Sequence, residues 1–113
     1  MIDQIRPLEL ASWLARHCGD KQGVVLDVRE PAELRSASVT GTDFMLLAMP
    51  MASVPIRLGE LDPRTPIACL CHHGARSQMV ASFLLSRGFA RVANIAGGIH
   101  AWANELDDSI ARY

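Results

Sequence analysis

Residues 69 to 78 read CLCHHGARSQ, with two cysteines, two histidines and an arginine in ten positions. Such density points to a metal site or to a reactive thiol. A metal site fits poorly. Cys69, Cys71, His72 and His73 are too crowded to surround one tetrahedral ion, and structural zinc sites draw ligand pairs from separate segments. No second pair exists, because His17, Cys18 and His100 stand apart. A haem attachment needs C-x-x-C-H, and this stretch has C-x-C-H. No metal and no cofactor are therefore expected.

A reactive thiol explains more of the pattern. Cys71 ends an apolar run and is followed by a tight turn containing Gly74, with a helix starting within a few residues. The N–H groups of such a turn, together with a helix N-terminus, make an anion-binding nest. A thiolate held there is stabilised, and the thiolate is the nucleophilic form. Arg76 adds a fixed positive charge beside it. His72 and His73 either add to that charge or face solvent. No separate base is needed if the thiol is already ionised. Cys69, inside the apolar run, is expected to be an ordinary buried cysteine. Cys18 is expected in the core on an early helix, and His17 and His100 to be solvated or capping.

These residues need elements to position them. Pro7 is placed to open a helix, where its missing N–H costs nothing, and Leu10, Trp13, Leu14 and Cys18 recur at helical spacing. GVVLDV (23–28) reads as a buried strand, and REPAELRSA after it as a helix begun at Pro31. TDFMLL (42–47) predicts a strand. SVPIRLGELD predicts a short helix with Ser53 as cap and Pro55 near its start. TPIACL (65–70) predicts the strand that delivers Cys71. ARSQMVASFLLSRG predicts the best helix, with Met79, Val80, Phe83 and Leu84 as its apolar stripe and Gly88 as its left-handed stop. RVANI predicts a last strand, and GGIHAWANEL a glycine turn into a final helix. Strands alternating with helices predict a mostly parallel sheet covered on both faces, in one α/β domain. Ligands of such sheets bind beyond the carboxyl ends of the strands, which is where Cys71 falls.

The whole chain narrows the partners. At 113 residues, half of them apolar and a fifth charged, it is an ordinary single-domain composition. Net charge near −1 advertises neither nucleic acid nor an anionic membrane. MIDQIRPLEL lacks the basic and apolar regions of a secretory signal, and no apolar run approaches the ~20 residues of a membrane span. Three cysteines make a poor disulfide framework, which fits a reducing, cytoplasmic setting.

CHHGARS resembles the active-site loop of rhodanese-type sulfurtransferases. LDVREPAEL (26–34) is similar to that domain's opening and NIAGGIHAW (94–102) to its closing signature. MPMASVPIRLGELD is similar to the segment before the catalytic strand of single-domain members. The likeness runs from about Pro7 to Trp102. It implies a single rhodanese-like domain over 1–113, with its core about 7–106, built on a five-stranded parallel sheet flanked by helices on both faces. It implies that Cys71 takes a sulfane sulfur as a persulfide and passes it on. Thiosulfate or a persulfide is the implied donor, and cyanide or a thiol, including a protein thiol, the acceptor. His72, His73, Gly74, Ala75, Arg76 and Ser77 match the cradle around the persulfide. Asp27 and Arg29 match a pair that braces the loop. The chain departs from the family where Ser38, Val39, Thr40 and Gly41 replace the usual His-Ile-Pro-Gly, and where Arg6 replaces a small polar cap. Two rivals share features with this reading. Cysteine phosphatases and arsenate reductases use the same thiolate, nest and arginine, but the phosphatases have five residues between cysteine and arginine, and this chain has four. A persulfide carrier or binding module without turnover is the other.

Overall fold

A first strand, β1 (Ile2–Ile5), carries no periodicity that would announce it, because half of it is polar and only Ile5 is buried. It lies at the sheet edge and pairs only with the last strand. The computed structural model describes residues 1–19, 22–41 and 43–113. The other elements are α1 (Leu10–Cys18), β2 (Gly23–Asp27), α2 (Pro31–Ser36), β3 (Phe44–Ala48), β4 (Ile67–Leu70), α3 (Ala75–Ser86), β5 (Val92–Ile95) and α4 (Gly98–Glu105). All pairings are parallel, in the order β1-β5-β4-β2-β3. The expected five-stranded α/β sheet is therefore present. Thr42, where the third strand was expected to begin, lies outside the described residues.

Strand alternation sorts the core into two layers. Ile67, Cys69 and Cys71 face one side, with Val24, Leu26 and Val28, and pack under Val80, Ala81 and Leu84 of α3. Ala68, Leu70 and Val25 face the other, against Trp13 and Leu14 of α1 and Ile99 and Trp102 of α4. The chain leaves β2 and β4, which are neighbours, toward opposite layers. Their carboxyl ends are where open α/β sheets usually bind a ligand.

Two expectations need correction. The stretch from Ser53 to Asp62 is not a helix but turns with 3₁₀ segments at Met51–Ser53 and Leu58–Glu60. Ser53 does not cap it; its hydroxyl donates to the Pro50 carbonyl at 2.7 Å. Pro55 removes a backbone donor and Gly59 weakens helix propensity, so local hydrogen bonds win. On α3, Met79 is 63% exposed, and the buried stripe is Ser77, Val80, Ala81 and Leu84 with Phe83 at its margin. Gly88 does stop this helix at φ +90°. Pro7 opens a 3₁₀ turn that leads into α1, and the Arg6 N–H is capped by the Glu9 carboxylate at 2.7 Å. Cys18 is half-buried at the core margin. Burial pushes its thiol up, against a smaller opposing pull from Arg91.

Candidate active site

The loop after β4 wraps around its own sulfur. Gly74 takes φ +111°, a left-handed conformation that side chains rarely adopt, and this turns its N–H to donate to Cys71 Sγ at 3.1 Å. Ser77, on the first turn of α3, is fully buried, and its Oγ lies 3.3 Å from the same sulfur. The loop is clamped from behind by α4. The Ile99 and His100 N–H groups donate to the Cys71 and His72 carbonyls at 2.8 and 3.1 Å. Gly98, at φ +60°, permits that approach, since a Cβ there would stand 2.4 Å from both carbonyl oxygens. The closing segment GGIHAW thus holds the loop's backbone.

Beneath the loop runs a polar chain that the sequence did not single out. Ser77 Oγ donates to Asn94 Oδ1 at 2.5 Å, and Asn94 Nδ2 donates to the Gly74 carbonyl at 3.2 Å and to Gln4 Oε1 at 2.9 Å. Asn94 is only 4% exposed, in the middle of β5. A polar side chain inside an apolar strand was the available signal for it.

Arg76 does not point freely at the sulfur. Its two terminal nitrogens donate to the two oxygens of Glu33 on α2, at 2.6 and 2.8 Å, a bidentate charge-assisted pair. The Glu30 N–H and the Tyr113 hydroxyl donate to the same carboxylate at 3.1 and 2.9 Å. The Arg76 contact, foremost, holds the Glu33 carboxyl down at about 2, from an ordinary 4.5. A carboxyl with a depressed folded-state pKa stabilises the fold above its unfolded value and loses that contribution as pH falls toward the folded value. Thermal midpoints should therefore decline between about pH 4.5 and 2, and Glu33→Gln should make that decline shallower. An identical pH profile in the variant would deny the pair this role.

Asp27 and Arg29 are both fully buried and paired. Arg29 Nε donates to Asp27 Oδ1 at 2.9 Å and Nη2 to Oδ2 at 2.7 Å. Arg29 also donates to the Ala37 carbonyl and the Tyr113 hydroxyl, each at 2.9 Å. It thereby ties the end of α2 just before the turn where Ser38 and Thr40 stand. Neither residue of the pair touches Cys71.

His72 is stacked between His73 and Tyr113, with both ring centroids 4.0 Å away. Burial, and then neighbouring His73, lower its pKa. His73 and His100 are exposed, with rings 5.1 Å apart. Ala75 is the exposed first residue of α3. Cys69 is fully buried, and burial, then neighbouring Cys71, push its thiol up to about 12. Cys71 is itself 1% exposed, so an incoming molecule first meets the rim at His72, His73 and Arg76. The site therefore sets one thiol against the Gly74 N–H and the Ser77 oxygen, with two ion pairs alongside, an arrangement suited to nucleophilic chemistry on a small sulfur centre.

A model of the rhodanese-like domain matches residues 10–105. A sulfurtransferase of Allochromatium vinosum is 35% identical over 104 residues, covering 91% of this chain and 90% of the relative. The thiosulfate sulfurtransferase GlpE of Pseudoalteromonas translucida is 31% identical and covers 82% of this chain and 86% of itself. The crystal structure of a rhodanese-like domain protein from Staphylococcus aureus, 24% identical, superposes with a TM-score of 0.76 over 99% of each chain.

Proposed function

The chain belongs to the rhodanese-like domain family, and we propose that it is a sulfurtransferase that carries sulfane sulfur as a persulfide on Cys71. The Cys71 thiolate attacks the donor's sulfane sulfur. The new S–S bond forms as the donor's own bond to that sulfur breaks, and the leaving group departs with the electron pair. A thiol or cyanide then attacks the outer sulfur, and the Cys71 thiolate is restored. Thiosulfate or a persulfide is the donor class, and a protein thiol is an acceptor of the same chemistry as a small one. The observation that carries this proposal is the Gly74 N–H aimed at Cys71 Sγ at the mouth of α3. That contact favours negative charge on the sulfur and on a second sulfur added to it.

In this scheme His72, His73, Gly74, Ala75, Arg76 and Ser77 form the cradle of the persulfide, and Asp27 and Arg29 are positioning residues that keep α2 and its following turn beside the loop. The cysteines of the chain are free thiols, which fits a reducing cytoplasm. Among the described residues no helix is long and apolar enough to cross a membrane. Neither nucleic acid nor a membrane surface is proposed as a partner.

The test sets sulfur transfer against phosphate chemistry. With only His72 to Ala75 between Cys71 and Arg76, and Arg76 turned to Glu33, the loop offers little to a phosphate ester. Cyanide-dependent sulfur release is expected from the native protein, with negligible hydrolysis of para-nitrophenyl phosphate. Cys71-dependent phosphatase activity exceeding sulfur transfer would overturn the proposal.

A further inference from the structure

Resting on the sulfurtransferase role proposed above, we infer that this site selects low-charge organic persulfides (R–S–SH) over the thiosulfate dianion, because Glu33 neutralises the loop's arginine. CHHGARS contains a single arginine and no lysine. The plain expectation is that Arg76 grips an anionic donor. Instead, both of its terminal nitrogens are committed to Glu33. The carboxylate is held in place by the Glu30 N–H and the Tyr113 hydroxyl, and Arg76 leaves it only by giving up two charge-assisted hydrogen bonds. The nearby Arg29 is neutralised in the same way by Asp27. His72 is biased to its neutral form by burial and by His73. His73 and His100 both face solvent, and Arg6, beside Gly97, is paired with Glu105.

The electrostatic consequence follows from charge alone. Once Cys71 is ionised, the two ion pairs cancel and the thiolate leaves the immediate site with negative charge. Thiosulfate brings two more. The transfer Cys71–S⁻ + S–SO₃²⁻ → Cys71–S–S⁻ + SO₃²⁻ must gather all of it beside one sulfur. A persulfide reacts as Cys71–S⁻ + R–S–SH → Cys71–S–SH + R–S⁻. The donor S–S bond breaks, the thiolate R–S⁻ leaves with the electron pair, and the proton stays on the transferred sulfur. The protonated form meets the thiolate without like-charge repulsion, and its conjugate anion R–S–S⁻ brings one negative charge where thiosulfate brings two. A backbone N–H such as that of Gly74 serves both donors, so it does not favour the dianion.

The sign of the salt dependence separates the cases. Initial rates of sulfur loading on the native protein would be followed by intact mass, with thiosulfate and with the persulfide of 2-mercaptoethanol. Ionic strength would run from about 0.01 to 0.2 M, over which the screening length shrinks several-fold. Between like charges, screening speeds the encounter. Loading from thiosulfate is expected to rise with salt, and loading from the persulfide to rise less. In Glu33→Gln, which frees the Arg76 cation, thiosulfate kcat/KM should rise roughly tenfold relative to the persulfide, and its rise with salt should flatten. Glu33→Asp keeps the charge and should keep the native rise. Thiosulfate loading that falls with salt in the native protein, or a donor ratio unmoved in Glu33→Gln, would overturn the inference while leaving sulfur transfer intact. Loading by neither donor would overturn both. Should Glu33→Gln not fold, the native salt sign still decides.

Discussion

Cys71→Ser is expected to have no measurable sulfurtransferase activity and an undiminished fold. The serine hydroxyl is nearly isosteric with the thiol and can accept the Gly74 N–H that Cys71 Sγ now receives at 3.1 Å. It cannot attack a sulfane sulfur, which requires a thiolate. Neither other cysteine can substitute. Cys69 lies on the same face of the sheet, two positions earlier, but it is wholly buried and its thiol sits at about 12. Cys18 is on α1 in the opposite layer, and burial raises its pKa too. Cys69→Ser and Cys18→Ser should therefore retain turnover, with Cys69→Ser less stable because it places a hydroxyl in an apolar layer. Circular dichroism and thermal midpoints separate loss of chemistry from loss of fold. Residual turnover in Cys71→Ser above the uncatalysed rate would mean that another thiol does the chemistry.

The second large effect is on stability. Arg29→Met should cost about 3–5 kcal/mol, the usual penalty for leaving one charge of a buried pair without its partner. Asp27 is fully buried, and in the variant its carboxylate would keep the cost of burial without the guanidinium that offsets it. The Ala37 carbonyl and the Tyr113 hydroxyl lose a donor at the same time. Arg29→Lys should recover little, because a point charge cannot reproduce the fork that meets both Asp27 oxygens. Removing both charges together, as Asp27→Leu with Arg29→Met, should recover much of the loss, since an apolar pair of similar volume leaves no orphaned charge. Urea unfolding midpoints check all three. A single-variant loss below about 1 kcal/mol, the range of exposed pairs, would show that the pair does not brace the fold.

Sequence reasoning located what is local. β2, β4 and β5 are short apolar runs bounded by turns, and Gly88 and the Gly97–Gly98 pair mark helix ends that periodicity alone would blur. Cys71, Gly74, Arg76 and Ser77 are legible together because one turn and the start of one helix bring them together. What escaped is non-local or mixed in character. β1 interrupts its apolar pattern with Asp3 and Gln4, yet Gln4 reaches Asn94 from 90 residues away. Tyr113 closes on Arg29 and Glu33 across 84 and 80 residues, and no spacing rule spans such distances. The most consequential miss is Glu33. Adjacency in sequence assigned the Arg76 charge to Cys71, whereas the fold sets a carboxylate from α2 against it. The segment from 53 to 62 was misjudged for the opposite reason: its apolar spacing suits a helix, but Pro55 and Gly59 turn it into short 3₁₀ pieces.

The position of the transferred sulfur bears most directly on the central claim. The native protein would be loaded with a sulfane sulfur donor, its thiols capped, and its peptides mapped by mass spectrometry before and after cyanide. The account predicts one added sulfur, on Cys71, that cyanide removes, and none on Cys71→Ser treated in parallel. Sulfur mapped to Cys69 or Cys18, or carried by the Cys71→Ser protein, would contradict it.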